Sequence, residues 1–482
     1  MKPYVIVLLS IVAILLVLVF IVLIRTLTFK PKKIESYEKD EVSFDKQKAL
    51  DAFCDVIKCK TVSYYDQEKE DDKEFDKLLS IIPKLFETLY KYAERLDFDG
   101  RGVLFRIKGQ TNGDPTVLMA HYDVVPVTLD KWTKDPFGAE IVDGKIYGRG
   151  TVDTKITFCN SLFAVNTLLE QGFTPKCDIY LAYSGSEETM GNGALEIVKY
   201  FKEKGITPAL VLDEGGAVVE KVFPGVKNPC GLIGIAEKGM IDISYTVNSK
   251  GGHASAPKPH TPIGMLAKAV TKVENNPFPF SMTKPAKEMF DTLGRHSNFV
   301  YRMIFANLWL FKGILNMICK KSGGEINALL RTTVAFTQAS GSEAPNVIPP
   351  TAKVVSNSRI SPDETVKSTL DRIKKIVGDE TVEIAEINSR EPSRISTTDC
   401  EGYDRIKSAV VQTWDNVLVA PYLMVQCSDS RHYGEISDKV YRFSSVDLTA
   451  DERSRVHGND EHIRLDAFYR SVEFYLRLVK NS

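Results

Sequence analysis

The chain has 482 residues, enough for two or three domains and a large core. Its 62 Lys and Arg balance 63 Asp and Glu, a formal net charge of -1 that leaves no electrostatic footprint for nucleic acid. Eight scattered cysteines form no C-x-x-C pair, which argues against a zinc knuckle or a disulfide framework.

Residues 4–24 are 21 positions without a charge, the length at which an apolar helix spans a bilayer, and are read as a single-pass membrane anchor. A cleaved signal peptide is the rival. Its apolar core would be shorter and followed by small residues, whereas Arg25-Thr26-Leu27-Thr28 offers no such site. Arg25, Lys30, Lys32 and Lys33 outnumber Lys2 and the amino terminus, which by the charge rule favours a cytoplasmic body; the side of the membrane stays open. Residues 25–42 read as a polar tether.

Helical patterning follows from residue 43 through Ala49, Leu50, Phe53, Val56 and Ile57, and again over residues 75–92. Short apolar runs at 103–107, 116–120, 179–183 and 210–212 then alternate with amphipathic helices at 156–171 and 194–204. That alternation predicts an α/β fold, a mainly parallel sheet sandwiched by helices, with residues 43–236 as the first part of a catalytic domain.

The run 116–127, TVLMAHYDVVPV, ends a buried strand in His121-Tyr122-Asp123. Residues two apart share a side of a strand, so imidazole and carboxylate converge where the strand meets its loop. A metal-bound His commonly gives its second N–H to a carboxylate, and open α/β sheets place their chemistry at the C-terminal strand ends. Four more clusters follow such runs: Asp153 in a Gly-rich turn, Ser186-Glu187-Glu188, Asp213-Glu214-Gly215-Gly216, and His457-Gly458. Singly, each has a bland alternative, a helix N-cap for Asp153 or a solvated acidic turn for the paired glutamates. Together they supply imidazoles and carboxylates, the donors that suit Zn²⁺, Mn²⁺ or Co²⁺.

In order along the chain stand H-x-D-V-V-P, G-R-G-x-x-D-x-K, S-x-E-E, L-D-E-G-G, G-G-H-x-S, N-V-I-P-P and D-S-R-H-Y. With these the sequence resembles the two-zinc metallopeptidases that include aminoacylase, carnosine-type dipeptidases and bacterial glutamate carboxypeptidase. Its nearest likeness is to the branch of Gly-X carboxypeptidase and the N-fatty-acyl amino acid hydrolases. The resemblance implies two Zn²⁺ per subunit, with Mn²⁺ or Co²⁺ as substitutes. It makes His121 a ligand of one metal, Asp153 the bridge, Glu188 and His457 ligands of the second, and Asp213 or Glu214 the remaining ligand of the first, Asp213 being named first. Asp123 would orient His121, and Glu187 would be the general base. The implied activity is hydrolysis of an amide bond beside a free carboxylate, in short peptides or N-acyl amino acids. A relative that binds ligand without catalysis and an aminopeptidase are the alternatives.

Residues 237–392 break the pattern. Strands at 240–247, 332–338, 351–359 and 381–387 with helices at 261–274 and 363–377 give a β-α-β-β-α-β order, a ferredoxin-like α+β unit inserted into the first domain. The resemblance makes it a lid and dimerisation domain, with His253 and Asn346 stabilising the oxyanion, His253 in the partner subunit's site, and Arg359 gripping the substrate carboxylate. Its extra apolar segment, 278–327, is read as core helices of an enlarged lid, ahead of a substrate-channel wall or a membrane-facing patch. Residues 393–482 return to the catalytic domain, where Ser428 stands in a segment that relatives place near the substrate carboxylate.

Overall fold

The computed structural model describes residues 2–33, 37–221 and 223–482. The first apolar run is one continuous helix, Pro3–Thr28, with proline in its first turn where a missing N–H costs nothing. Only Val22 and Thr26 of it are buried. By length and composition it suits an anchor and a signal sequence alike. The expected tether is shorter than 25–42: the helix runs on to Thr28, and residues 34–36 lie outside the described residues. Beyond them the chain is laid against the body, since the Asp40 N–H donates to Gln412 and its carbonyl accepts from Arg477.

An eight-stranded sheet forms the centre. Across it run Ala93–Phe98, Gly102–Ile107, Ile179–Ser184, Thr116–His121, Leu210–Val219, Val440–Leu448, Cys230–Glu237 and Leu418–Met424. The middle four are mutually parallel and antiparallel pairs complete one edge, so the sheet is mainly parallel as expected. Strand alternation divides its side chains between two cores. Leu118, Leu181 and Leu212 meet the helix Lys155–Glu170, while Val117, Tyr180 and Val211 meet the helix Gly193–Glu203.

The helix Lys155–Glu170 is buried on all sides from Lys155 to Leu168, packed between the sheet and the helices Lys46–Ile57 and Leu465–Lys480. The expected helix 75–92 is two, Asp72–Leu85 and Glu87–Tyr92, because the fully buried Phe86 leaves helical geometry at φ -132°.

A second, four-stranded antiparallel sheet runs Thr333–Ser340, Thr351–Ile360, Gly239–Asn248, Glu383–Arg390. With the helices Pro262–Asn275 and Val366–Val377 it encloses its own core of Ile241, Ile243, Tyr245, Leu266 and Ile373. The order β-α-β-β-α-β is present.

Apart from Phe278, which joins that core, the extra segment is not part of it. It forms the helices Lys284–His296, Phe299–Ala306, Leu308–Ser322 and Gly324–Leu329. Ala286, Met289, Phe290 and Leu293 recur at helical spacing, and with Phe305, Cys319 and Leu329 they join the large core instead; the helix Lys284–His296 packs on the strand Leu418–Met424. The reading as core helices of a lid is therefore corrected. The helix Leu308–Ser322 meets the large core along one edge only, through the buried Cys319 and the half-buried Leu308 and Leu315.

Phe53 stacks on Phe468 at 4.9 Å, joining the first helix of the body to the last. Phe53→Ala leaves a cavity there and is expected to cost about 3–5 kcal/mol, read as a lowered midpoint of thermal unfolding. An unchanged midpoint would show that this contact does not hold the termini of the domain together.

Candidate metal centre

Three adjacent parallel strands end along one edge, which brings their loops together regardless of separation in sequence. Thr116–His121 delivers His121; its neighbour Ile179–Ser184 leads into Glu187 and Glu188; its other neighbour, Leu210–Val219, carries Asp213 and Glu214. Asp153 comes from the turn ahead of the helix Lys155–Glu170. His457, in left-handed backbone at φ 59°, follows the short helix Ala450–Ser454.

His121 Nε2 lies 3.1 Å from Asp153 Oδ1 and 3.2 Å from Glu214 Oε1. The other oxygen of Asp153 lies 3.0 Å from His457 Nε2, which is 3.2 Å from Glu188 Oε2. Asp153 thus joins two half-sites through its two oxygens. Coordinating atoms of His121, Asp153 and Glu188, and of His121, Glu187 and Glu214, fall within 4.8 Å of one another.

Of Asp213 and Glu214, Glu214 is the one whose carboxylate reaches His121. Asp213, named first from the sequence, is turned away and occupied: its carboxylate accepts the backbone N–H of Glu214 at 2.9 Å and of Ser430 at 2.9 Å. Asp123 is fully buried behind His121. The ring's Nδ1 stands 3.0 Å from the Asp123 carbonyl and 3.4 Å from its carboxylate. That carboxylate also accepts from the Ser63 hydroxyl and from the N–H groups of Glu187 and Glu188, so one side chain sets both the imidazole and the acidic loop.

The cluster carries more negative charge than its imidazoles balance. Burial alone would depress His121, yet Glu214, Asp123 and Asp153 hold its imidazolium well above the ordinary range. The carboxylates of Asp153 and Glu188 hold His457 up at about 11. Burial would raise Asp153, but the two imidazoles hold it far below its usual value. The other acids go the opposite way. Burial, with nearby Asp153, pushes Glu214 up to about 8; burial and then Asp429 push Asp213 to about 6; burial and the surrounding acids also hold Glu187 well above the usual carboxylate range. Glu188 Oε1 is buried and has no hydrogen-bond partner. Imidazole and carboxylate donors converging with an unmatched negative charge and an orphaned oxygen fit divalent cations of the Zn²⁺, Mn²⁺ or Co²⁺ type.

The turn that carries Asp153 is held by a residue the sequence did not single out. Glu461, fully buried, accepts from Arg149 Nη1 at 2.6 Å and from the N–H groups of Gly150, Val152 and Asp153. No sequence signal marks it, since three of its four partners are main-chain N–H groups.

The remaining candidates separate. Arg359 lies beside the centre, 3.5 Å from Cys427 Sγ, and Cys427 lines the cavity over the acids. Arg390 and Arg431, both missed, stand near the same thiol. Ser428 does not face the cavity as expected: it is fully buried, and its hydroxyl and N–H both donate to Glu237 at 3.1 Å. His253 and Asn346 are brought together by the pairing of Gly252–His253 with Val347–Ile348, but on an exposed ribbon away from the centre.

Comparison with known proteins gives one family. Residues 117–481 match the model of peptidase family M20/M25/M40. The chain is 36% identical over 431 residues to the probable carboxypeptidase S-like 2 of Dictyostelium discoideum, covering 88% of this chain and 83% of that protein. It is 35% identical over 481 residues to the N-fatty-acyl-amino acid synthase/hydrolase PM20D1 of Xenopus tropicalis, covering 97% and 93%. Among solved structures, the M20 family metallo-carboxypeptidase Sso-CP2 from Sulfolobus solfataricus shares the fold, with a TM-score of 0.67 at 19% identity over 90% of this chain and 98% of that one.

Removing the Glu461 carboxylate strands the buried Arg149 and frees three N–H groups. Glu461→Ala is expected to cost about 3–5 kcal/mol of stability and to weaken binding of Mn²⁺, measured by titration calorimetry, about 10–100-fold. Undiminished Mn²⁺ affinity in the folded variant would remove Glu461 from the support of Asp153.

Proposed function

The chain belongs to peptidase family M20/M25/M40, and from that premise we propose that it is a two-metal amidohydrolase whose substrates are N-acyl amino acids with a long apolar acyl group. One observation carries the substrate class. A cavity of about 480 Å³ has Asp153, Glu187, Glu188, Glu214 and His457 in its lining, and the same cavity is walled by Phe223, Leu232, Met289, Leu293, Ile326 and Leu329. Such a wall gives a peptide side chain more apolar surface than it needs. An acyl chain gains about 0.8 kcal/mol for each methylene buried there.

His121, Asp153 and Glu214 would hold one cation, and Asp153, Glu188 and His457 the other, with Zn²⁺ the first choice. Bound there, a cation pair supplies Lewis acidity toward an amide carbonyl oxygen and lowers the pKa of a water to about 7. Asp123 holds the His121 ring with Nε2 facing the cluster. Glu187 lines the cavity, and among the described residues its carboxylate makes no ion pair with His121 or His457, as those of Asp153 and Glu188 do, which suits a group that must take a proton from water and release it. It passes that proton to the amide nitrogen as the C–N bond breaks, leaving a fatty carboxylate and a free amino acid. Arg359, with Arg390 and Arg431 near it, offers guanidinium groups for the substrate's carboxylate. His253 and Asn346 would reach a catalytic centre only in a second copy of the chain, which is the reading that makes the small sheet a lid and dimerisation unit.

The N-terminal helix is proposed to be a retained membrane anchor. Its last turns are built into the fold: the fully buried Asn307 donates to the Val22 carbonyl and to Thr26 Oγ1 at 3.2 Å each, and Arg25 Nε donates to the Ala306 carbonyl. Cleavage of the helix would strip these partners from a buried amide. A relative without catalysis is not favoured, because none of the imidazoles and carboxylates that this reading requires is missing from the sequence.

Two measurements test the reading. Glu187→Gln is expected to bind both cations as the parent does and to lose about 10²–10⁴ in kcat; loss of metal with a retained rate per metal-loaded molecule would refute its role. Ile326→Trp fills part of the apolar wall. It is expected to lower kcat/KM for N-palmitoyl amino acids at least about 10-fold, two methylenes at ~0.8 kcal/mol each, and to spare N-acetyl substrates. Equal losses on both would sink the long-chain assignment.

A further inference from the structure

The helices Phe299–Ala306 and Leu308–Ser322 meet at 109° around Asn307, making an elbow whose outer surface is apolar. Leu308, Leu315 and Cys319 turn toward the body, so the opposite face would carry charge in a helix that met water. Instead Leu310, Ile314, Met317 and Ile318, spaced i, i+4, i+7, i+8, are exposed there, together with Trp309 at 55%. Residues 299–322 contain no Asp or Glu; their charges are Arg302, Lys312, Lys320 and Lys321. An apolar helix face with basic residues alone is the composition of a segment that lies in a membrane interface.

Its position says what covers it. Asn307, at the bend, bonds to the carbonyl of Val22, two residues inside the apolar stretch that ends at Ile24. At about 1.5 Å per residue the bend sits about 3 Å within the hydrocarbon edge of any bilayer the anchor crosses. Below it lies a cavity of about 1070 Å³ between the end of the anchor and the helix Lys284–His296. Arg25, Lys32, Lys33, Lys284, Lys287, Arg295 and Lys407 line it, against Glu288, Asp291 and Asp404. That balance complements anionic headgroups at the depth where the anchor leaves the bilayer.

We propose that the elbow 299–322 is embedded in the leaflet beside the N-terminal helix, so that the body is held against a membrane surface rich in anionic lipid by two contacts, one spanning and one in plane. The proposal rests on the reading of that helix as a retained anchor. It also gives the segment two working sides. The flanking helices Lys284–His296 and Gly324–Leu329 contribute Met289, Leu293, Ile326 and Leu329 to the wall of the catalytic cavity, so one stretch of chain faces lipid on one side and the acyl site on the other.

The test uses the full chain reconstituted into phosphatidylcholine–phosphatidylserine vesicles, with Trp309→Phe as the blank that isolates the Trp309 emission. Flotation after an alkaline carbonate wash is measured first. The expected result is a floating protein whose Trp309 emission is quenched about twofold or more by lipids brominated near the headgroup end of the acyl chain and untouched by aqueous iodide. Ile314→Asp combined with Ile318→Asp should reverse that pattern while the protein still floats. A floating parent whose Trp309 is quenched by iodide and not by brominated lipid overturns the elbow and leaves the anchor standing. Failure to float overturns both.

Discussion

The structure depends on how much negative charge is forced together at the ends of three parallel strands. Asp153, Glu187, Glu188 and Glu214 converge there with Asp213 and Asp429 behind them, and the positive partners in contact are two imidazoles. Buried carboxylates in such numbers would protonate or splay apart unless cations sit among them or other groups restrain them. The surroundings are consistent with that demand. Asp123 is satisfied by a hydroxyl and two N–H groups, Asp213 by two N–H groups, and Glu461 by an arginine and three N–H groups. Those three acids are hydrogen-bonded chiefly by main-chain N–H groups and position the inner ones, which lack such partners and remain available.

That division of labour explains the packing beneath the site. The helix Lys155–Glu170 starts two residues after Asp153 and is enclosed on every side, and Lys155 itself donates to the carbonyls of Val56 and Cys59. A turn anchored at both ends, by Glu461 and by Lys155, leaves the Asp153 carboxylate little freedom to relax away from its neighbours. Rigid support of this kind is what keeps coordinating groups within a few tenths of an ångström of a working arrangement.

His121, Glu187, Glu188 and Glu214 were legible in the sequence because they stand at or just beyond apolar runs with strand character, and an α/β sheet collects such positions; Asp153 and His457, which follow a turn and a short helix, stood out through the motifs around them. Alternation failed at one place. Asp213 and Glu214 are neighbours on a strand whose pairing with Val440–Leu448 slips between Arg442 and Phe443, so that Gly216 faces Phe443 and residues 214–215 bulge out. Gly215 there has φ 138°, and a Cβ on it would meet Met424 at 2.3 Å. A bulge re-aims a side chain that simple counting assigns to the other face, which is why Glu214 and not Asp213 points inward. The strand Cys230–Glu237 was hidden for a related reason. It is buried on both faces, and its glycines, which ordinarily weaken a strand signal, make room for a neighbour: a Cβ on Gly234 would press on Arg442 at 3.0 Å. Glu461 left no trace because three of its four partners are main-chain groups, which have no sequence.

The inserted segment shows the limit of reading apolar residues as core. Composition over 278–327 does not distinguish a helix that completes a core from one that is apolar on its free side; only burial does, and the two halves of the segment differ in it. Lys284–His296 hides Met289, Phe290 and Leu293, whereas Leu308–Ser322 hides Cys319 alone. A hydrolase acting on an acyl amino acid must admit a molecule with a charged head and a greasy tail. Such a molecule partitions into membranes before it meets any enzyme, so the tail has to be transferred from lipid to protein without crossing much water. In this chain the arginines proposed for the head lie by Cys427, and four residues of the wall proposed for the tail, Met289, Leu293, Ile326 and Leu329, come from the helices that flank the exposed elbow. Each methylene left in water during transfer would add about 0.8 kcal/mol to the barrier, which gives the proposed lipid contact and the proposed acyl wall a physical reason to share one stretch of chain.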